Sequence, residues 1–242
     1  MLDKSKIKYI QSLGQKKVRD EEGFFIAEGP KIVTELLAAD NVIIKEIYAL
    51  EEWLHDNPQT KKITVTVINE IELGKLSQLT TPNQVIAIVE KRAVPAITAA
   101  GKLSLVLDGL QDPGNLGTII RIADWFDIEQ VICSKDSADV YNPKVVQATM
   151  GSITRVNVLY TDIPTWLSSQ KNIKIFATAL DGEDISSMKK IKEGIILIGN
   201  ESKGISHELM AMADVKITIG RKGKAESLNA AVATGIVLSH IV

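Results

Sequence analysis

Three segments in the second half of the chain share one grammar: an apolar strand, a turn rich in glycine and asparagine, then a helix. They read Leu105-Val-Leu-Asp-Gly-Leu-Gln-Asp-Pro-Gly-Asn-Leu-Gly-Thr-Ile-Ile-Arg121, Ile195-Ile-Leu-Ile-Gly-Asn-Glu-Ser-Lys-Gly204 and Ile217-Thr-Ile-Gly-Arg-Lys-Gly-Lys-Ala-Glu-Ser-Leu-Asn-Ala-Ala231. Strands are expected near 104–108, 129–134, 155–160, 173–179, 195–199 and 215–219, with helices over 116–126, 142–151, 162–170, 205–212 and 227–240. That alternation predicts an α/β fold whose mostly parallel sheet is covered on both faces. Ligands of such sheets sit at the carboxyl ends of the strands, where backbone amides and helix N-termini converge. The function is expected in those three turns.

Upstream, Ile7, Ile10, Leu13 and Val18 predict one amphipathic helix over residues 5–19. A strand over 23–29 follows, then a helix opened by Pro30 with Ile32, Val33, Leu36 and Leu37 along one stripe. Strands at 43–50, 63–67 and 85–89 and a helix over 69–79 complete a small α/β unit. Residues 93–102, with Pro95 and no helical stripe, read as a linker between a domain of residues 1–92 and one of residues 103–242. At 242 residues the chain can give each of them a core.

The net charge of −2 excludes a uniformly basic coat. Charge is nevertheless local: Lys4, Lys6, Lys8, Lys16, Lys17 and Arg19 occur without an intervening acid, a basic arm suited to phosphates. Its plainer reading is a solvated helix face. Cys133 is the only cysteine and the three histidines are scattered, so neither a disulfide nor a metal set is expected. No window approaches the ~18 apolar residues of a membrane span, and the start of the chain lacks a signal peptide's apolar stretch. A cytoplasmic setting is expected.

In the first turn, Asn115 can cap the helix and Arg121 can present a planar fork to a phosphate, unless it pairs with an acid such as Asp124. The second turn, Gly199 to Gly204, is neither the Gly-Lys-Ser/Thr phosphate loop nor the dinucleotide glycine triplet. Its Glu201 suits a cationic ligand better than an anionic one, although Asn200 and Glu201 can equally stabilise their own turn. In the third, a basic loop precedes Ser227, which can cap the alanine-rich helix, and Asn229, which can offer a ligand both donor and acceptor.

Together these segments closely resemble the signature motifs of SpoU-type (TrmH-like) RNA 2'-O-ribose methyltransferases of the SPOUT superfamily. Asn115-x-Gly117-x-x-x-Arg121, Gly199-Asn-Glu201-x-x-Gly204 and Ser227-Leu-Asn229 carry the likeness, in order. Asn142 to Ser152 is similar to the family's intermediate segment, and Ser12 to Gly29 to the opening of its substrate-binding domain, itself like certain ribosomal RNA-binding proteins. The resemblance implies a deep C-terminal trefoil knot, S-adenosylmethionine as cofactor, structured RNA (ribosomal favoured, transfer RNA the alternative) as substrate, and a homodimer. It further implies a cofactor pocket of Thr178, Ala179, Leu180, Gly199, Asn200, Glu201, Gly204, Ile217, Ile219, Ser227, Leu228 and Asn229. Asn115, Arg121, Glu201, Ser227 and Asn229 are the implied catalytic set, while the basic arm and Arg121 hold RNA. Because a guanidinium is a poor proton acceptor, Arg121 is expected to orient the nucleotide rather than act as base. The family often has proline where Gly220 stands, so a more mobile loop is expected there and Ile219 is a less secure contact. The competing readings are a nucleotide- or NAD-dependent α/β enzyme, disfavoured by the missing fingerprints, and an RNA-binding factor that keeps the fold without methylating.

Overall fold

In the computed structural model, which describes residues 2–58, 60 and 63–242, the amphipathic start forms two helices instead of one. They are α1 (Lys4–Ser12) and α2 (Lys16–Glu22). The break falls at Gly14, where an added Cβ would stand 2.6 Å from Gln78 Oε1. Then come β1 (Phe24–Glu28), α3 (Pro30–Ala38), β2 (Ile44–Ala49), α4 (Glu51–Asp56), β3 (Thr64–Val67), α5 (Glu70–Leu76) and β4 (Val85–Glu90). Pro30 opens α3 as expected, and Asn69 and Glu72 close a reciprocal capping box on α5. The sheet order is β1-β4-β2-β3, with β4 antiparallel to both neighbours. Ile10, Leu13, Ile26, Tyr48, Leu76 and Ile88 pack into one core beneath it.

The remaining elements are β5 (Leu103–Leu107), α6 (Pro113–Trp125), β6 (Gln130–Ser134), α7 (Pro143–Thr149), β7 (Asn157–Thr161), α8 (Ile163–Ser169), β8 (Ile175–Asp184), β9 (Gly194–Ile198), α9 (His207–Ala211), β10 (Val215–Thr218) and α10 (Ala230–Ile241). Six strands form one parallel sheet in the order β10-β8-β9-β5-β6-β7. The unbroken apolar runs are central because both their faces are covered; β9 is buried along its whole length. Val106, Ile132, Trp166, Ile195, Leu197 and Leu209 share one core. β8 runs past its expected end at 179, and after a register shift Glu183 and Asp184 pair with Ile217 and Thr218 of β10. Gly182 makes that approach possible, since a Cβ there would meet the Lys216 carbonyl carbon at 2.7 Å.

The chain divides into two compact units that differ in detail from the sequence reading. One joins residues up to Ala93 with Asp139–Thr154, and the other joins Val94–Ala138 with Arg155–Val242. The segment carrying α7 therefore packs with the N-terminal unit although it interrupts the other in sequence. Arg19 pairs with Asp139 at 2.5 Å, the Phe25 and Tyr141 rings lie 4.7 Å apart, and Asn41 and Arg92 both donate to the Thr154 carbonyl. The stretch expected as a linker is laid down on the second unit from Val94 onward. Trp166 Nε1 donates to Ile97 O, Gln130 Nε2 to Thr98 O, and the Ala99 amide to Gln170 Oε1.

Candidate active site

Leu107 of β5 stands in register with Ile198 of β9, so the turns that follow these strands leave the sheet side by side. Strand order diverges at the same place, with β6 and β7 on one side of β5 and β9, β8 and β10 on the other. A crevice at such a switch point is where open α/β sheets hold ligands.

The first turn is set by Gly109, at φ 63°, whose amide donates to Ser134 Oγ at 2.8 Å. Asp112, not Asn115, caps α6: its Oδ1 accepts from the Asn115 amide at 2.7 Å. The sequence signal for that cap was the acid directly before Pro113, which occupies the helix's first position. Relieved of capping, the Asn115 side chain spans the other two turns. Its Nδ2 donates to Glu201 Oε1 at 2.8 Å, and its Oδ1 accepts from Asn229 Nδ2, also at 2.8 Å.

Asn229 in turn caps α10, its Oδ1 accepting from the Ala231 and Val232 amides at 3.0 and 3.2 Å. The capping role expected of Ser227 therefore belongs to Asn229. Ser227 is exposed and makes no hydrogen bond among the described residues.

The second turn is rigid for reasons visible in its backbone. Asn200 and Gly204 exchange paired amide–carbonyl bonds at 3.0 and 2.9 Å, and Gly204 takes φ 69°. A Cβ on Gly199 would lie 2.3 Å from the Gly204 carbonyl carbon, so only glycine fits. Asn200 accepts from the Ser202 and Lys203 amides and donates to Gly109 O at 2.6 Å, pinning this turn to the first. Asp108, which the sequence did not single out, adds a second tie by accepting from the Ser206 amide at 2.7 Å. Neither polar residue serves only its own turn: Asn200 braces it and also reaches Gly109, while Glu201 faces Asn115.

On the neighbouring strands, Thr178 Oγ1 is tied to Leu197 O, Ala179 and Ile219 are half-buried, and Leu180 is 76% exposed. Leu228 adds another exposed apolar side chain. Ile217, expected in the cofactor pocket, is fully buried in β10 and offers no exposed surface there. Arg121 lies on the exposed side of α6, about 9 Å along the axis from Asn115 at 1.5 Å per residue. Asp124, its candidate partner, is held instead by Arg155 at 2.8–3.0 Å, and Arg121 makes no ion pair among the described residues.

The basic arm is divided. Lys4, Lys8 and Lys16 are exposed, Lys6 pairs with Glu46 at 2.8 Å, and Lys17 lies 3.8 Å from Glu21. Arg19 must be removed from the RNA-binding set, because it is 1% exposed and spends its guanidinium on Asp139 and the Leu13 and Gly14 carbonyls. Burial pushes the Cys133 thiol far up, which makes it a packing residue rather than a nucleophile. Among the described residues, no three His, Cys, Asp or Glu side chains gather as a metal set, and no helix is long and apolar enough to cross a membrane.

Comparison with known proteins gives a consistent picture. Residues 102–239 match the SpoU rRNA Methylase family, and residues 4–87 match the MRM3-like substrate binding domain. The 23S rRNA (guanosine(2553)-2'-O)-methyltransferase RlmP of Bacillus subtilis is 30% identical over 239 residues, covering 98% of this chain and 95% of the relative. A TrmH-family structure from Porphyromonas gingivalis superposes with a TM-score of 0.89 at 34% identity, covering 99% of this chain and 98% of that one. The AdoMet-bound rRNA methyltransferase from Sinorhizobium meliloti gives a TM-score of 0.88 at 33% identity, covering 99% and 95%.

Proposed function

Because the chain belongs to the SpoU rRNA Methylase family, we propose that it methylates a ribose 2'-hydroxyl of ribosomal RNA with S-adenosylmethionine as donor. The observation that carries the reading is the position of Asn115, hydrogen-bonded at once to Glu201 and Asn229. One side chain thereby holds the two turns suited to the cofactor and the helix bearing Arg121 in a single arrangement.

The residues present fit the cofactor. The second turn lacks a phosphate cradle, Glu201 supplies negative charge, and Leu180 and Leu228 offer apolar surface to an adenine ring. Thr178–Leu180, Gly199–Gly204, Ile219 and Leu228–Asn229 are the residues that would hold it. When bound, S-adenosylmethionine supplies a methyl group on a positively charged sulfur, ready for in-line displacement.

The chain's own contribution is positioning. Holding two reactants in attack geometry accounts for a large part of such a barrier, ~7–11 kcal/mol in favourable cases. Asn115 fixes the first turn against the others, and Arg121 orients the target nucleotide through a two-pronged phosphate contact. In this role Arg121 serves as a fork rather than a base. Exposed Lys4, Lys8 and Lys16 give the N-terminal unit its grip on RNA.

The dimer expected from the family is supported by unpartnered apolar surface on α6 and α10. Trp125 is 84% exposed and Val232 52% exposed. Val232→Glu is expected to shift sedimentation from dimer to monomer, and unchanged sedimentation of a wild-type dimer would place its interface elsewhere. A knotted C-terminus and a cytoplasmic setting complete the proposal by family likeness.

The activity is tested by incubating the purified protein with labelled S-adenosylmethionine and unmodified ribosomal RNA, then mapping 2'-O-methyl groups. One new methylated ribose in the large-subunit RNA is expected. Cofactor binding without transfer to any ribosomal RNA would favour the non-catalytic alternative.

A further inference from the structure

The loop between β10 and α10 carries Arg221, Lys222 and Lys224, a concentration of positive charge that the site described above does not use. We propose that these three side chains form a second RNA-phosphate grip beside the catalytic turns, in addition to the lysines of the N-terminal unit. The proposal rests on the methyltransferase reading and names where its substrate is held.

The loop ends at Asn229, whose side chain is bonded to Asn115 at 2.8 Å. Five residues of extended chain reach at most ~18 Å, so the Lys224 backbone stays within that distance of Asn229. At the loop's other end Thr218 Oγ1 donates to Leu180 O at 3.4 Å, and Gly220 lies against Asp184, where a Cβ would stand 2.7 Å from Oδ2. Arg221 Nη1 donates across the loop to Ala225 O at 3.2 Å. The cations are thus carried on a loop fixed at both ends and tied across its middle.

Every residue from Arg221 to Asn229 is exposed, and none of the three cations makes an ion pair among the described residues. Glu226 is the loop's only acid. Nearby, Asp184 accepts from the Ser186 amide at 2.9 Å, and Asp181 pairs with Lys216 at 3.3 Å. A solvated helix face would interleave acids with its bases, and this loop does not. The cofactor cannot account for three cations, since its sulfonium is repelled by them and it has one carboxylate. A polyanion with several phosphates can.

The test compares the full chain with the triple variant Arg221→Ala, Lys222→Ala, Lys224→Ala. S-adenosylmethionine affinity is measured by calorimetry, and binding to unmodified, transcribed large-subunit ribosomal RNA is measured across a salt series. Each lost phosphate contact lowers the slope of log affinity against log salt by ~0.7–0.9, so a reduction of about 2–3 is expected, with cofactor affinity within about twofold of wild type. An unchanged slope overturns the proposal, as does a variant whose main defect is weakened cofactor binding. A wild-type protein that binds the cofactor but shows no salt-dependent association with this RNA removes the underlying reading itself, and the grip with it.

Discussion

Asn115→Asp exchanges the amide that donates to Glu201 for a carboxylate facing it. The lost bond had a charged acceptor and was worth ~1.5–3 kcal/mol. Two carboxylates at the native 2.8 Å spacing repel by about 1.5–3 kcal/mol if the effective permittivity is ~40–80. Half-burial strengthens that repulsion, but two like charges can rotate apart from the native spacing, which favours the low end, so a total of about 3 kcal/mol is expected. In a chain of this size that lowers the melting temperature by ~6–12 °C. If the same arrangement is needed to bind S-adenosylmethionine, affinity falls by about 100-fold. The deficit shrinks as pH falls, because a proton shared by the pair relieves the repulsion. Adding Glu201→Gln reverses the polarity: the new amide donates to the new carboxylate, which still accepts from Asn229. The double variant should recover most of the lost melting temperature. Cofactor affinity should recover with it if Glu201 acts through the network, and should remain poor if its charge also meets the sulfonium. A double variant that melts no higher than Asn115→Asp alone would refute the network argument, as would an Asn115→Asp protein with wild-type stability and affinity.

Other consequences are simpler to measure. Arg121→Lys keeps the charge but loses the fork, and single-turnover methylation is expected to fall at least ~10-fold at unchanged melting temperature; full chemistry and RNA affinity would show that fork geometry is irrelevant. Gly199→Ala drives a Cβ to 2.3 Å from the Gly204 carbonyl carbon, so the turn must move, at a cost of ~1–3 kcal/mol and most cofactor binding in calorimetry. Glu28 is buried where Ser77 and the Gln78 amide donate to it, and burial holds its carboxyl above the ordinary 4.5. A raised acid pKa means the folded state binds the proton more tightly, so this group costs stability as pH rises from 4.5 through the raised folded value and throughout higher pH. Glu28→Gln should flatten that part of the stability profile in urea titrations; an unaltered profile would show that the carboxyl does not sense its burial.

The sheet of the second unit was legible because its central strands, β9 above all, are largely apolar runs buried on both faces, and the three catalytic-side turns announce themselves with glycine and asparagine. What the sequence concealed depends on partners distant along the chain. Arg19 looks like one more member of a basic arm until Asp139, a separation of 120 residues, arrives beside it. Asn115 has a capping residue's identity, yet Asp112 takes the cap, and the register of β5 against β9 brings Glu201 into its reach. The helix expected over residues 5–19 divides around Gly14, where the Leu13 and Gly14 carbonyls accept from the buried Arg19 guanidinium instead of continuing the helical ladder. Periodicity contains none of these facts, since it describes a residue's neighbours in sequence and not in space.

The same long-range pairing changes how the N-terminal unit's part in RNA binding should be tested. Deleting the chain before Ala93 looks like removal of one domain, but it also strips partners from a segment left behind. Asp139 loses Arg19, Tyr141 loses Phe25 and Arg92, and the Thr154 carbonyl loses Asn41 and Arg92. Val145 and Val146, buried in the intact protein, lose the cover of the unit they pack with. A truncated chain that failed to methylate would therefore report misfolding as readily as lost RNA affinity. Replacing Lys4, Lys8 and Lys16 with glutamine leaves every one of these contacts intact. If these lysines grip RNA, the variant keeps its melting temperature and its cofactor affinity while the salt slope of RNA binding falls by up to about 3. A slope equal to that of the wild type would instead make the arm a solvated helix face.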